Sequence, residues 1–569
     1  MSAVRITIGQ IRPTTGDITA NIALMEQVAQ TGRAEKADLV VFPELSLTGS
    51  LSADLFLEPQ FIERIEQGLE RLRQVTQAFP DLYWVIGAPT RRQGPGKMLE
   101  NSLLVFHRGR EVLKYAKKSL ATCDSFDEPR YFASGTDNAA ILEIAGTKIG
   151  FLIGRDTENC TEESHATTPL RLLAEAGVDL AVAIDACPSY AGRNEQRLAQ
   201  CHAVSRRHRL PLLYVNQIGG YAPLVFDGGS FAVTPESGTV FLSRRFEPAT
   251  DTLSFDKSTG FAVSSAMPRS ENLGQPLPQM EFYLQQIVLG LRDYARDNGF
   301  RQVVVGSSGG IDSALVLALA TEALGPDNVV GITMPSPFSS AGSISDSEIL
   351  CRNLGIQLFN HPIHDILQHY ESGFSKSFAE PLQGLAKENL QARIRGTILM
   401  EYSNRFGHLL LTTGNKSEIA VGYCTLYGDT NGGLGLIGDL YKTEVFALSR
   451  HLNKAAGREL IPSGIIDKEP SAELAPNQRD TDSLPPYPVL DTLLKVLIEG
   501  ECLMDDEKLR VEHDFALLTA SEEGQRLVRR IRHMIARNEY KRHQMPPTIR
   551  LRGRAFGRGR RMPISTAHD

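Results

Sequence analysis

Gly306-Ser307-Ser308-Gly309-Gly310-Ile311-Asp312-Ser313-Ala314 follows the short apolar run Val303–Val305 and leads into the apolar stretch 313–324. A buried strand, a glycine-rich turn and a helix in that order make a phosphate site. The glycines let the backbone turn tightly and bring N–H groups close to an anion. The helix N-terminus behind them adds a favourable dipole. Ser308 and Ser313 supply hydroxyl donors. Asp312 is acidic, and beside a polyanion its use is as a ligand or close neighbour of Mg²⁺. The loop is not of the Walker A type, because no Gly-Lys-Ser/Thr follows.

Outward from the loop, the pattern predicts a helix near 281–298, a strand over 329–334 and a helix over 344–354. Parallel strands alternating with helices make a doubly wound sheet, which takes ligands at the carboxyl ends of its strands. Upstream, apolar runs at 4–8, 39–42, 84–87, 102–106, 148–153, 180–184 and 212–216 read as strands, with helices over 21–36 and 61–79. The close spacing between 84 and 106 departs from a simple βαβ repeat and predicts a mixed sheet within a layered α/β sandwich. A Pro- and Gly-rich joint separates the blocks, giving a first domain over 1–265, a linker over 266–282 and a second domain over 283–569.

The 569 residues exceed what one core holds, at roughly 100–200 residues per domain. A formal net charge of −7 argues against a surface that coats nucleic acid or anionic membrane. There is no apolar run of about 18 residues and no signal-peptide pattern, so the expectation is a cytoplasmic protein outside the membrane. The seven cysteines lack a CxxC pair and read as reduced thiols.

Ser308-Gly309-Gly310-Ile311-Asp312-Ser313 resembles the pyrophosphate loop of the N-type ATP pyrophosphatases. Further strings follow in order: Asn389-Leu390-Gln391-Ala392-Arg393-Ile394-Arg395-Gly396, Thr412-Thr413-Gly414-Asn415-Lys416-Ser417-Glu418, Tyr427-Gly428-Asp429, Lys442-Thr443-Glu444-Val445, Pro470-Ser471-Ala472-Glu473-Leu474 and Asn538-Glu539-Tyr540-Lys541-Arg542. Together they are similar to NAD⁺ synthetase over essentially all of 280–562. The resemblance implies an adenine nucleotide alpha hydrolase-like domain. In it, Ser308, Gly309, Gly310, Ile311, Asp312, Ser313 and Thr413 bind ATP, and Asp312 with Glu418 holds Mg²⁺. Asn389, Arg393, Asp429 and Lys442 contact deamido-NAD⁺. The implied reaction joins the nicotinate carboxylate to the α-phosphorus of ATP, releases pyrophosphate, and lets ammonia displace AMP.

The first block resembles the nitrilase-like amidase domain of glutamine-dependent NAD⁺ synthetases, an αββα-type sandwich. The likeness runs through Val41-Phe42-Pro43-Glu44, Lys117-Lys118-Ser119-Leu120, Tyr214-Val215-Asn216-Gln217 and Val225-Phe226-Asp227-Gly228-Gly229-Ser230. That family cleaves amides with a Glu-Lys-Cys triad. Glu44 and Lys117 match its first two positions. Where the cysteine is expected after a strand, the sequence reads Ile153-Gly154-Arg155-Asp156. Glycine has no side chain to acylate, so the expectation is an inactive glutaminase fed by free ammonia. Departures at 121–124, 186–189 and 222–223 point the same way.

Alternatives stay open: a glutamine-hydrolysing enzyme with Cys187 or Cys160 as substitute nucleophile or with a partner glutaminase, and a non-catalytic dinucleotide-binding scaffold. The arginine-rich stretch 526–561 is read as touching substrate phosphates or a neighbouring subunit of a homo-oligomer, with no nucleic-acid role.

Overall fold

The computed structural model describes residues 3–122, 125–136, 138–157, 168–263, 275–476 and 478–565. The chain forms two compact units, one of Met1–Gly219 with Phe226–Pro276, the other of Gly220–Val225 with Leu277–Asp569.

In the first unit, side chains alternate across two sheets. The eight-stranded sheet runs in the order Gly260–Val263, Ala249–Asp256, Val4–Gln10, Leu39–Val41, Tyr83–Arg91, Leu99–His107 and Arg110–Ala116, with Phe132–Ala133 also on Leu99–His107. The six-stranded sheet runs Gly238–Leu242, Phe231–Thr234, Leu212–Asn216, Leu180–Asp185, Thr147–Ile153 and Ile141–Ile144. Leu180, Val182 and Ile184 meet Val4, Ile6 and Ile8 between the sheets. Ala181 and Ala183, on the opposite face, pack with Leu198 and Val204 of helix Arg193–His208. Val40 and Trp84 turn the other way, toward Ile22 and Ile65 of helices Ile18–Ala34 and Pro59–Gln77. Period-two side chains thus bury both faces of each central strand and stack helix, sheet, sheet and helix.

The first sheet is mixed, as the spacing predicts: Val4–Gln10, Leu39–Val41 and Tyr83–Arg91 are parallel, and Leu99–His107 and Arg110–Ala116 follow antiparallel. Arg110–Ala116, Ile141–Ile144, the strands from Phe231 onward and helix Arg193–His208 are absent from the sequence reading. Most of these strands are short, and Arg110–Ala116 is a largely exposed edge with charged residues, so it lacks an apolar run.

The second unit is a five-stranded parallel sheet in the order Gln357–Asn360, Val329–Thr333, Val303–Gly306, Leu409–Thr412 and Leu434–Gly435. The chain moves outward from Val303–Gly306, then returns to its other side at Leu409–Thr412. The crevice at that reversal is where doubly wound sheets bind ligands. Helix Ile311–Leu324 has buried residues on every face, so its apolar content shows no amphipathic period.

One boundary differs from expectation. The predicted linker 266–282 runs into helix Gln279–Asp297, because Pro278 can precede a helix without removing a helical hydrogen bond. Residues 264–274 lie outside the described residues. The string from Asn389 to Gly396 lies inside helix Leu385–Phe406, which follows Gly384 at φ +58°.

Within the basic tail, Arg542 and Arg552 depart from the expected surface role, because both are buried. Arg542 donates to the carbonyls of Ile419 and Ala420 and pairs with Glu539, and Arg552 pairs with Glu499 at 2.7 Å and Glu507 at 2.6 Å. These arginines hold the fold, since a buried guanidinium needs carboxylates and carbonyls around its five donors. Among the described residues no helix is long and apolar enough to cross a membrane.

Candidate active site

The phosphate loop is closed by its own serines. Gly310 N donates to Ser308 Oγ at 3.3 Å, Ser308 N donates to Ser313 Oγ at 3.3 Å, and Ser313 Oγ donates to Gly310 O at 3.1 Å. Gly309 has φ +77°, and a Cβ there would lie 2.3 Å from the Ser343 carbonyl oxygen. Only glycine lets the loop pass that close to helix Ala341–Leu354.

The loop opens onto a cavity of about 300 Å³ lined by Ser308, Gly310, Ile311, Asp312, Ser313, Thr413, Glu418, Asp429 and Lys442, among others. Lys442 is its electrostatic centre. Its Nζ donates to Asp312 Oδ2 at 2.6 Å and to Glu418 Oε1 at 3.3 Å, and lies 5.1 Å from the centroid of the Tyr487 ring. Lys442 is the first residue of helix Lys442–Ala456, where the helix dipole disfavours a cation. Its position therefore does nothing for the helix and serves the cavity. Burial disfavours its charge, but Asp312 and Glu418 outweigh burial and raise its pKa. Burial pushes Glu418 up to about 8, Lys442 opposing and Asp312 adding to the rise.

Asn415 supports both acids. Its Nδ2 donates to Asp312 Oδ1 at 2.9 Å, and its side chain forms a capping box with Glu418 at the start of helix Lys416–Val421. Asp312 and Glu418 thus converge on one cation position. Among the described residues no group of three or more His, Cys, Asp or Glu is placed to hold a metal. Two carboxylates fit the way Mg²⁺ is commonly bound, by one or two acids with substrate phosphates supplying further oxygens.

Asn389 and Arg393 do not line this cavity. Asn389 Oδ1 accepts from Thr425 Oγ1 at 2.7 Å, and Arg393 Nε donates to Leu426 O at 3.2 Å, so both brace the turn that carries Asp429. Asp429 in turn accepts from Thr425 N at 2.7 Å. Arg393 lines a separate open groove with Phe374 and Phe378. The cavity instead receives Arg395, Lys468, Glu473 and Asp480, which the sequence reading did not select. Arg395 and Glu473 stand within strings quoted above, and helical phase was the available signal for Arg395.

In the first unit, Glu44, Lys117 and Gly154 come together just beyond the carboxyl ends of three strands. Lys117 Nζ lies 2.7 Å from Glu44 Oε1 and 2.9 Å from Glu128 Oε1. Glu44 also accepts from Asn101 Nδ2 at 2.6 Å and from Ala186 N at 3.2 Å. Asp156 accepts from Tyr115 Oη, Lys118 N and Ser119 N, fixing the segment that presents Lys117. A Cβ built on Gly154 would stand 3.0 Å from Lys117 Nζ, 3.1 Å from Glu44 Oε2 and 3.1 Å from Asp185 Oδ1. One buried cation thus faces three carboxylates. Burial, with Glu128 and Asp185 adding to it against Lys117, pushes Glu44 up to about 8.

Cys187 Sγ accepts from Arg193 Nε at 3.4 Å and lies 3.8 Å from Pro188 O. Among the described residues, Cys187 Sγ thus meets Arg193, at the start of helix Arg193–His208, and Pro188, and neither Glu44 nor Lys117. Cys160 lies outside the described residues.

The family model described as NAD synthase matches residues 283–546, and that described as carbon-nitrogen hydrolase matches residues 5–249. A glutamine-dependent NAD(+) synthetase of Synechocystis sp. is 40% identical over 571 residues, covering 99% of this chain and 98% of its own. One of Thermotoga maritima is 36% identical over 591 residues, covering 99% of each. The solved glutamine-dependent NAD⁺ synthetase of Acinetobacter baumannii, in complex with ADP, superposes with a TM-score of 0.76 at 32% identity and covers 99% of this chain and 98% of its own. With a nitrilase-like unit ahead of an NAD synthase unit and relatives matched from end to end, the chain belongs to the glutamine-dependent NAD(+) synthetase family and is an NAD⁺ synthetase.

Proposed function

We propose that this NAD⁺ synthetase amidates deamido-NAD⁺ with free ammonia and does not itself hydrolyse glutamine. The observation that carries the reading is Gly154: the point where a Cβ would meet both Lys117 and Glu44 carries no side chain and so no thiol. Amide cleavage by such a triad needs a thiolate to attack the carbonyl carbon, with the carboxylate as base and the lysine on the oxyanion. Glu44 and Lys117 then serve as a buried ion pair that supports packing.

In the second unit, the nicotinate carboxylate attacks the α-phosphorus of ATP. A C–O–P linkage forms, the bond to the β-phosphate oxygen breaks, and pyrophosphate leaves. Ammonia attacks the acyl carbon, loses a proton, and AMP departs, leaving the amide. The backbone N–H groups of Ser308–Ser313 and the Lys442 ammonium hold the phosphates and neutralise charge as it moves to the leaving group. Asp312 and Glu418 would hold Mg²⁺, which supplies charge neutralisation at the pyrophosphate. Thr413 contacts ATP. Asp429, with Asn389 and Arg393 behind its turn, faces the deamido-NAD⁺ side. The exposed apolar side chains Tyr370 and Phe378 of helix His364–Phe378, which line one open groove, support a homo-oligomer.

A second reading is favoured by the relatives of Synechocystis and Thermotoga maritima, whose names describe glutamine-dependent enzymes. In it a substitute nucleophile or a partner glutaminase supplies ammonia. The experiment that separates a retired site from a substitute nucleophile is the parent and Lys117→Ala assayed with glutamine and with ammonium as donor; the ammonia reading expects negligible glutamine-dependent turnover from either protein. Ammonium-dependent turnover is expected to stay within about threefold of the parent, since the lysine has no part in the adenylation chemistry. Any stability loss from stranding Glu44 is read separately by thermal melting. Robust glutamine-dependent turnover in the parent that a folded Lys117→Ala protein loses, with its ammonium-dependent turnover kept, would overturn the retired glutaminase site.

A further inference from the structure

Glu418 and Lys442, which pair in the ATP cavity, are carried by different helices. Glu418 stands in helix Lys416–Val421, six residues long. A helix that short has no independent stability and takes its position from tertiary contacts. Lys442 opens helix Lys442–Ala456, with Tyr441 as its N-cap residue. The two helix starts are joined directly where Lys442 N meets Ser417 Oγ, and further partners brace that link.

Two buried carboxylates span the starts of both helices. Asp491 Oδ1 accepts from Ser417 Oγ at 2.5 Å, and its Oδ2 accepts from Thr443 N at 2.9 Å. Ser417 Oγ in turn accepts from Lys442 N at 2.9 Å, closing a ring around the two helix starts. Glu499 Oε1 accepts from Lys416 Nζ at 2.8 Å, from Tyr441 Oη at 2.8 Å and from Arg552 Nε at 2.7 Å. Asp491 is thus bonded to the residues immediately before Glu418 and after Lys442, and Glu499 to one further residue on each helix. Both acids are almost fully buried, at 2% and 1% exposure. Burial works against the Glu499 charge, but Arg552 and Lys416 hold its pKa down at about 2.

The local backbone explains how one segment presents both acids. Asp491 lies in helix Tyr487–Leu494, and Glu499 ends the π-helical turn Lys495–Glu499. In an uninterrupted α-helix, eight residues at about 100° each would leave Glu499 roughly 80° from Asp491 around the axis. The wider i→i+5 turn rotates less per residue and brings Glu499 back toward the face of Asp491.

We propose that Asp491 and Glu499 are positioning residues for the synthetase reaction: without touching substrate, they set the distance between Glu418 and Lys442 and so the geometry offered to ATP. This rests on the assignment of Glu418 and Lys442 to the ATP site. It predicts that neutralising either acid disables nucleotide use beyond any loss of stability. Glu507 is the control, because it binds the same Arg552 (2.6 Å) and Lys495 (2.7 Å) without reaching either helix start.

The test compares Asp491→Asn, Glu499→Gln and the milder Tyr441→Phe with Glu507→Gln. It reads melting temperature, ATP binding by calorimetry, and ammonium-dependent kcat and KM for ATP well below the melting point. Asp491→Asn and Glu499→Gln are expected to lower kcat about a hundredfold and weaken ATP binding about tenfold, on the scale of a displacement near 1 Å at a reacting centre. Tyr441→Phe is expected to show a several-fold loss of the same kind and keeps the proposal testable if the acid variants do not fold. Glu507→Gln is expected to melt lower yet keep kcat within twofold. The proposal is overturned if the folded acid variants and Tyr441→Phe keep parental kcat and ATP affinity, or if Glu507→Gln loses activity to the same degree. Lys442→Ala, run in parallel, separates the two levels. If it stays active, the assignment of the ATP site fails. If it is inactive while the Asp491 and Glu499 variants behave as the parent, only the positioning role fails.

Discussion

Lys442→Ala is expected to reduce ammonium-dependent NAD⁺ formation by about a thousandfold, the upper range for removing one preorganised charge-stabilising donor. The lysine is the cation nearest both Asp312 (2.6 Å) and Glu418 (3.3 Å), at the mouth of the phosphate loop. Its loss leaves two carboxylates facing each other in a buried site just where a polyphosphate must enter. Repulsion raises the KM for ATP, and the departing pyrophosphate loses its neutralising partner, so kcat falls as well. Arginine is not an equivalent replacement, because a planar fork does not reproduce a compact ammonium between two acids. Steady-state assays with ATP, Mg²⁺, deamido-NAD⁺ and ammonium check this. Turnover within tenfold of the parent, in a protein with unchanged far-UV circular dichroism, would remove Lys442 from the centre of the site.

Gly309→Ala carries the second large effect, through backbone geometry. At φ +77° an alanine is strained by roughly 1–2 kcal/mol. Its Cβ would also sit 2.3 Å from the carbonyl oxygen and 2.7 Å from the Cα of Ser343, so helix Ala341–Leu354 or the loop itself must move. Movement of the loop spoils the array of N–H groups that meets the phosphates. The expected result is a loss of ATP affinity of about a hundredfold, with destabilisation of about 2–4 kcal/mol. Gly310→Ala provides the contrast. Gly310 has φ −100°, and its added Cβ would meet only Ser308 Oγ, at 3.3 Å. It should cost far less in both measures. Equal effects of the two substitutions on ATP binding, measured by calorimetry, would show that glycine at 309 is not demanded by the close approach to Ser343.

The parallel sheet of the second unit was legible because its central strands are buried on both faces and carry short apolar runs between helices. The mixed sheet and α/β layering of the first unit were legible from the spacing of the first strands, and its αββα type came only with the resemblance to the nitrilase-like domain. The first unit's strands from Phe231 to Val263 were not legible, since most span four or five residues in antiparallel pairs with turns close by. Site residues adjoining the phosphate loop could be read directly, because loop, strand end and helix start are contiguous there. Helix Leu385–Phe406 shows where linear reading fails. Arg393 and Arg395 are two residues apart, so they project about 200° from each other around the axis. Arg395 reaches the cavity and Arg393 the outer groove with Phe374. The motif named the helix, but only its phase named the face. Asp491 and Glu499 carried no signal of their own, because they act through helix starts distant in sequence. The arginines of the tail read as a charge run, whereas burial of Arg542 and Arg552 among carboxylates makes them part of the core.

Gly154 remains the position on which the nitrogen source turns. The measurement that tests this most directly is NAD⁺ synthesis in a mixture of unlabelled ammonium and amide-¹⁵N glutamine, with mass analysis of the nicotinamide nitrogen. The account predicts turnover with ammonium, negligible turnover with glutamine alone, and no ¹⁵N in the product. Robust turnover of the isolated chain with glutamine, with ¹⁵N in the amide, would contradict it.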